Sequence, residues 1–184
     1  MKTIRFVFVS LTSVIGILYL LYVSYLYFNQ EEMIFPASKL PKDYKFEFHQ
    51  DFEEVNIPSF DKTNLNGLLF KAANSKGLIF YLHGNGDSAD SGGHIADFYT
   101  SMGYDIFILD YRGYGKSDGE IESQEQFLSD VSFAYNKQAN RYTKNKIIII
   151  GYSIGTGPAT YLASKVNPKL FVLQAQYYNF LDFS

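Results

Sequence analysis

Hydrophobic and polar positions divide the chain into a long apolar stretch and a second part that alternates short apolar runs with helical patterns. Phe6 to Phe28 contains no charged residue. As a helix rising about 1.5 Å per residue, it would be roughly 34 Å long, enough to cross a hydrocarbon core. Tyr19, Tyr22, Tyr25 and Tyr27 crowd its C-terminal end, where an interfacial aromatic belt belongs. Residues 29–50 read as a juxtamembrane connector, in which Pro36 and Pro41 break any helix while Met33, Ile34 and Phe35 could pack onto protein or lipid. Val55 and Ile57 then alternate with Glu54 and Asn56, a half-exposed strand, and Leu65 to Lys71 reads as its hairpin partner. Gly77 to Leu82, Asp105 to Leu109, Ile147 to Ile150 and Lys169 to Leu173 are further strands. The isoleucine run lacks alternation, which suits a strand covered on both faces.

Between these strands lie helical spacings. Ile95, Phe98, Tyr99 and Met102 form one stripe, closed by Gly103. Ser123 and Gln126 make a capping box before Phe127, Leu128, Val131, Ala134 and Tyr135. Ala159, Leu162, Ala163 and Val166 form a third, with Pro158 in the first turn. Two antiparallel-type strands followed by alternating strand and helix predict an α/β fold: a mostly parallel sheet with flanking helices, preceded by one transmembrane helix. The expected organisation is an anchor at 1–28, a connector at 29–50 and a domain at 51–184.

The apolar run of Ile147 to Ile150 leads directly into Gly151-Tyr152-Ser153-Ile154-Gly155, a G-x-S-x-G pentapeptide. Alone it could arise by chance. Between a strand and an amphipathic helix it predicts a nucleophile elbow. A turn this tight presses the chain on its neighbours, so a Cβ at Gly151 or Gly155 would collide. Ser153 would stand at the tip with its Oγ exposed, and the Ile154 N–H would face the site as one oxyanion donor.

Composition narrows the chemistry. The 184 residues carry a formal charge of −3 and are 47% hydrophobic, enough for one domain with a core and no argument for nucleic acid. With no cysteine there is no disulfide framework, thiolate zinc site or thiol catalysis. No metal cluster and no cofactor motif is present in the pattern, so none is expected. A cleaved signal peptide is the rival to an anchor, but the apolar run exceeds an ordinary h-region and Tyr25-Leu26-Tyr27-Phe28 is a poor cleavage site. Lys2 and Arg5 before the span, against Glu31 and Glu32 after it, favour a domain outside the cytoplasm, although Lys39, Lys42 and Lys45 weaken the asymmetry. The span makes no prediction of oligomeric state.

Two further loops follow strands. His83-Gly84-Asn85-Gly86 lies at the carboxyl end of the third strand, where the Asn85 N–H could supply a second oxyanion donor. A plain glycine turn with His83 as a structural side chain is the alternative. Asp110-Tyr111-Arg112-Gly113-Tyr114-Gly115 leaves the fourth strand. Asp110 and Arg112 read either as acid and anion binder or as an Asp–Arg pair pinning the loop. Asp87 and Asp90 read as polar loop or helix N-terminal residues, and Lys144 and Lys146 as a solvated turn.

HGNGDS at 83–88, DYRGYGKSDG at 110–119 and GYSIGTGPA at 151–159, in that order after a membrane anchor, resemble the membrane-anchored α/β-hydrolase-domain serine hydrolases. The resemblance runs from about Met33 to Val172. It implies an ester or thioester substrate, lipids among them, with Ser153 as nucleophile and Asn85 and Ile154 as oxyanion donors. The family order is Ser, then Asp or Glu, then His. His49, His83 and His94 all precede Ser153, Asp182 follows the sixth strand without a histidine to orient, and Gln174-Ala175-Gln176 replaces the usual Glu-small-Pro. The resemblance therefore implies an incomplete α/β-hydrolase fold, with the sixth strand as an apolar edge, in a gene fragment or truncated product. A non-catalytic, hydrolase-like binding domain and an inactive relic are the alternatives.

Overall fold

The structure is a computed structural model and describes residues 2–34 and 37–176. Asp182 lies outside the described residues. The chain forms two compact units, Met1–Pro36 and Ala37–Ser184.

The first unit is one helix, α1 (Lys2–Ile34). Within it Ile4–Asn29 has a mean hydropathy of 2.3, with none of its most apolar window buried, and is long and apolar enough to cross a membrane. The helix runs past the expected end of the anchor and is described to Ile34, two residues before Pro36.

The second unit is built on a sheet of β1 (Phe52–Pro58), β2 (Asn64–Phe70), β3 (Leu78–Leu82), β4 (Asp105–Leu109), β5 (Ile147–Tyr152) and β6 (Leu170–Gln174). The spatial order is β1-β2-β4-β3-β5-β6. The first two pairings are antiparallel and the remaining three parallel. Phe80 on β3 stands opposite Phe107 on one side and Ile149 on the other.

Successive side chains point to opposite faces, and here both faces are covered. Phe80, Leu82, Phe107, Leu109, Ile147 and Ile149 pack beneath α3 (Gln124–Ala139) and α4 (Thr156–Lys165). Ile79, Tyr81, Ile106, Ile108, Ile148 and Ile150 pack on the other face, against α2 (Gly93–Ser101) and Phe46. Double coverage is why these strands lack polar alternation. Phe48, in the expected connector, meets Phe70 edge-on with ring centroids 4.9 Å apart, so residues from this stretch join the core of the sheet. β6 closes the strand order with Leu170 and Phe171 exposed.

Two local expectations change. The α2 stripe is only half inward: Ile95, Ala96 and Tyr99 face the sheet, whereas Phe98 is 60% and Met102 48% exposed. Gly92 sets this phase, because a Cβ there would meet the Ile108 side chain, and the face that continues from it at i+3, i+4 and i+7 omits Phe98. At α3, the Gln126 N–H donates to Ser123 Oγ at 3.1 Å as expected. The Gln126 side chain, however, accepts from the Glu122 N–H at 2.9 Å rather than from Ser123, one residue outside the capping-box pattern.

Candidate active site

β5 ends at Tyr152, a single 3₁₀ turn spans Ser153–Gly155, and α4 begins at Thr156. Ser153 has φ +48°. A non-glycine residue in the left-handed region is uncommon, and such strained positions concentrate at functional sites. Close packing holds it there. A Cβ on Gly151 would lie 2.6 Å from the Ala159 Cβ and 2.6 Å from the Gly155 carbonyl oxygen. A Cβ on Gly155 would strike the Leu82 carbonyl oxygen and sit 2.7 Å from that of His83. Both glycines are sterically obligatory, as the spacing implied. The Thr156 hydroxyl donates to the Ser153 carbonyl at 2.6 Å and closes the turn. Ser153 and Ile154 are half-buried, and Tyr152 is 40% exposed.

The same contacts bring the loop after β3 to the elbow. Gly155 abuts the carbonyls of Leu82 and His83, and a Cβ on Gly84 would lie 2.9 Å from the Tyr152 ring. His83 and Gly84 therefore sit against the elbow, at Gly155 and Tyr152. His83 is itself buried. Its Nδ1–H donates to the Gly84 carbonyl at 2.8 Å and its ring stacks on Tyr111 with centroids 4.2 Å apart. Burial pushes its pKa down to about 4, so the imidazole is neutral at pH 7. Its Nε2 has no hydrogen-bond partner among the described residues. None of His49, His83 and His94 hydrogen-bonds Ser153 among the described residues.

Asp110 and Arg112 do not form the expected pair. The chain turns between them and each finds other partners. Asp110, fully buried, accepts the Ala89 N–H at 2.6 Å and the Lys116 N–H at 3.3 Å. Burial pushes its pKa up to about 6. Arg112 turns to the other face of the sheet. Its guanidinium grips Asp130 of α3 through Nε and Nη2, and Nη1 reaches Asp61 at 2.8 Å and Thr63 at 3.1 Å. The carboxylates of Asp130 and Asp61 hold the Arg112 pKa above its ordinary value. With four of its five N–H donors engaged and its side chain 4% exposed, Arg112 is committed to internal partners and not to an anion from solution.

Three residues that the sequence reading passed over belong to this arrangement. The Tyr111 hydroxyl donates to the His83 carbonyl at 2.9 Å and the Tyr114 hydroxyl to Asn85 Oδ1 at 3.2 Å. Asp130 also accepts the Ser59 hydroxyl. The only signal for the tyrosines was their place in DYRGYG, flanking the arginine and the glycine.

A cleft of about 430 Å³ lies on the α2 side, lined among others by Glu47, His49, Asp90, His94 and Asp97; Ser153 is not among its lining residues. Among the described residues no group of three or more His, Asp or Glu is disposed to hold a metal ion.

A family model described as serine aminopeptidase, S33, matches residues 73–176. Protein bem46 of Schizosaccharomyces pombe is 28% identical over 168 residues, an overlap of 84% of this chain and 55% of that protein. Lysophosphatidylserine lipase ABHD12 of Danio rerio is 34% identical over 110 residues, 55% of this chain and 28% of that protein. The chain thus spans about half, or less, of the curated relatives it matches. Among solved structures, an α/β hydrolase from Vibrio vulnificus superposes with a TM-score of 0.61 at 26% identity, over 68% of this chain and 45% of that one.

Proposed function

The chain belongs to the α/β-hydrolase family described as serine aminopeptidase, S33, and on that premise we propose that it is a membrane-anchored serine hydrolase acting on acyl esters or thioesters through Ser153. Ser153 Oγ adds to the acyl carbonyl carbon as its proton leaves. The carbonyl oxygen becomes an oxyanion between the N–H groups of Asn85 and Ile154. Collapse expels the alcohol or thiol and leaves an acyl-serine, which water hydrolyses to release the acid and restore Ser153. His83 does not serve as the proton acceptor, since its imidazole is weakly basic, buried and turned to Gly84.

One observation carries this reading: Ser153 holds φ +48° in a corner that leaves no room for a Cβ at Gly151 or Gly155. Ester chemistry is supported by a relative named as a lysophosphatidylserine lipase. A lipid ester suits a chain whose N-terminal helix is long and apolar enough to sit in a membrane. The proposed topology is a single span with the hydrolase unit on the non-cytoplasmic side.

A fluorophosphonate probe tests the reading. The expected result is a covalent adduct on Ser153 in the detergent-solubilised chain, lost in Ser153→Ala with no change in thermal unfolding. An adduct that persists in Ser153→Ala would overturn it. The lack of an imidazole bonded to Ser153 among the described residues favours a second reading, a hydrolase-like domain that binds an acyl ligand without turnover. No adduct at Ser153, together with saturable binding of a non-hydrolysable acyl ether, would select that reading.

A further inference from the structure

The loop that bears Asn85 is held from behind by the loop after β4. Tyr111 Oη bonds the His83 carbonyl, Tyr114 Oη bonds Asn85 Oδ1, and Asp110 takes the Ala89 N–H. Tyr114 is 3% exposed, so its hydroxyl is a buried donor spent on the side chain of the proposed oxyanion residue. This second loop is held in turn by the residues that begin the compact unit. The Gly115 N–H donates to the Ser38 carbonyl at 2.6 Å, and the Leu40 N–H returns to the Gly115 carbonyl at 2.8 Å, a parallel bridge of Lys39 with Gly115. The Lys116 ammonium donates to the Tyr44 carbonyl at 3.1 Å and pairs with Glu54 at 2.7 Å, and Lys42 reaches the Lys116 carbonyl. Gly115 makes this double contact because it has no side chain: it turns with φ +49°, and the Asp110 carboxylate occupies the space a Cβ would need.

We propose that residues 38–44, through Gly115 and Tyr114, form a brace that positions the Asn85 amide, so that this stretch is a working part of the site rather than a passive tether. The inference rests on Asn85 as an oxyanion donor, the reading given above. An oxyanion donor acts only when its N–H is already aimed at the place where charge develops. A glycine-flanked loop cannot fix that aim by itself, because glycines on both sides of Asn85 leave its peptide planes free to rotate. Two of the contacts that restrict it, from Tyr111 and Tyr114, come from the loop after β4, and that loop is restricted by residues 38–44, the strap. Tyr114 is thus a positioning residue, and the strap acts through it.

The test uses the full chain in detergent micelles, with two readouts: the ¹⁵N order parameter of the Asn85 amide, and the rate of Ser153 phosphonylation by a fluorophosphonate. Tyr114→Phe removes only the hydroxyl. Leu40→Pro removes the strap N–H that bonds Gly115, and Lys116→Met removes the ammonium that holds the strap at the Tyr44 carbonyl. In all three the Asn85 order parameter is expected to fall from about 0.85 towards 0.6 or below, while amides of β3 and β5 stay unchanged. Phosphonylation is expected to slow at least about tenfold, part of the roughly 100–1,000-fold that loss of a whole oxyanion donor costs. Tyr161→Phe, on the exposed face of α4, leaves both readouts unchanged. If Leu40→Pro loosens the whole sheet, Lys116→Met and Tyr114→Phe decide. An Asn85 amide as ordered in these variants as in the parent overturns the proposal, and so does loosening confined to Tyr114→Phe. Failure of the parent chain to label would overturn the functional reading; the brace is then judged on the Asn85 amide alone.

Discussion

The loops after β5 and β4 leave the two strands that flank β3, yet they are fixed in opposite ways. The elbow after β5 gets its shape largely from residues 151–159, where Gly151 leaves no space to Ala159, while Gly155 and Tyr152 reach across to the end of β3 and the loop after it. The loop after β4 gets its shape from residues far away in the sequence: Asp130 and Asp61 for Arg112, Ala89 for Asp110, Ser38 and Leu40 for Gly115. A corner made by steric exclusion writes itself into a short motif. A loop made by hydrogen bonds to distant partners leaves only a string of polar and aromatic residues whose directions are open. The elbow is therefore visible in one line of sequence, and the long-range support of the loop after β4 is not.

The largest expected effect breaks the long-range side of this contrast. Arg112 and Asp130 are both 4% exposed and doubly hydrogen-bonded. Arg112→Met leaves the Asp130 carboxylate buried with the Ser59 hydroxyl as its remaining partner, and should cost about 3–5 kcal/mol in urea unfolding. The double variant Arg112→Met/Asp130→Leu should recover much of that loss, because no charge then stays buried unpaired. Equal losses in the single and double variants would show that the pair matters for shape and not for charge.

A smaller effect sharpens the local side. Gly155→Ala pushes a Cβ into the carbonyl of Leu82 and to within 2.7 Å of that of His83, backbone atoms that cannot swing aside. It should cost about 1–3 kcal/mol, the range of overpacked sites. Gly157, two residues on in α4, has nothing within 4 Å of its would-be Cβ. Gly157→Ala should therefore stabilise by up to about 1 kcal/mol through helix propensity. If both alanines had the same sign, the corner would not be held by exclusion.

The strands were legible for the same reason as the elbow. Ile147 to Ile150 must be apolar on both sides because α2 packs on one face and α4 on the other, and such a run has few other destinies. What stayed hidden depended on direction. Asp110 and Arg112 looked like partners because they are close in sequence, but a turn between them sends one to the Ala89 loop and the other to α3. Asp130 stands directly before Val131 of the α3 stripe, and nothing local points to Arg112 as its partner. Phe98 and Met102 fitted a helical stripe whose phase Gly92 had already set elsewhere. In each case the residue type was informative and its partner was a tertiary fact.

The smallest effect concerns charge where the loops after β3 and β4 meet. His83 and Asp110 are both held away from their ordinary protonation by burial, in opposite senses. Asp110 has its pKa raised from 3.8 to about 6, so the stability it contributes is full below about pH 4 and lost as pH rises through 6. His83 has its pKa lowered from 6.5 to about 4, so its contribution is full above about pH 6.5 and lost as pH falls through 4. Across this shared window the two slopes oppose each other and largely cancel in the parent chain. Asp110→Asn removes one of them while keeping an oxygen that can accept the Ala89 N–H. The variant should lose stability on acidification from pH 6.5 to 4 more steeply than the parent, by on the order of 1 kcal/mol after allowance for relaxation around a buried group. Paired urea titrations at four pH values measure the difference directly. Parallel curves would mean that the Asp110 carboxylate is not shielded from water as its burial implies, and that the loop after β4 is looser than the packing of the elbow.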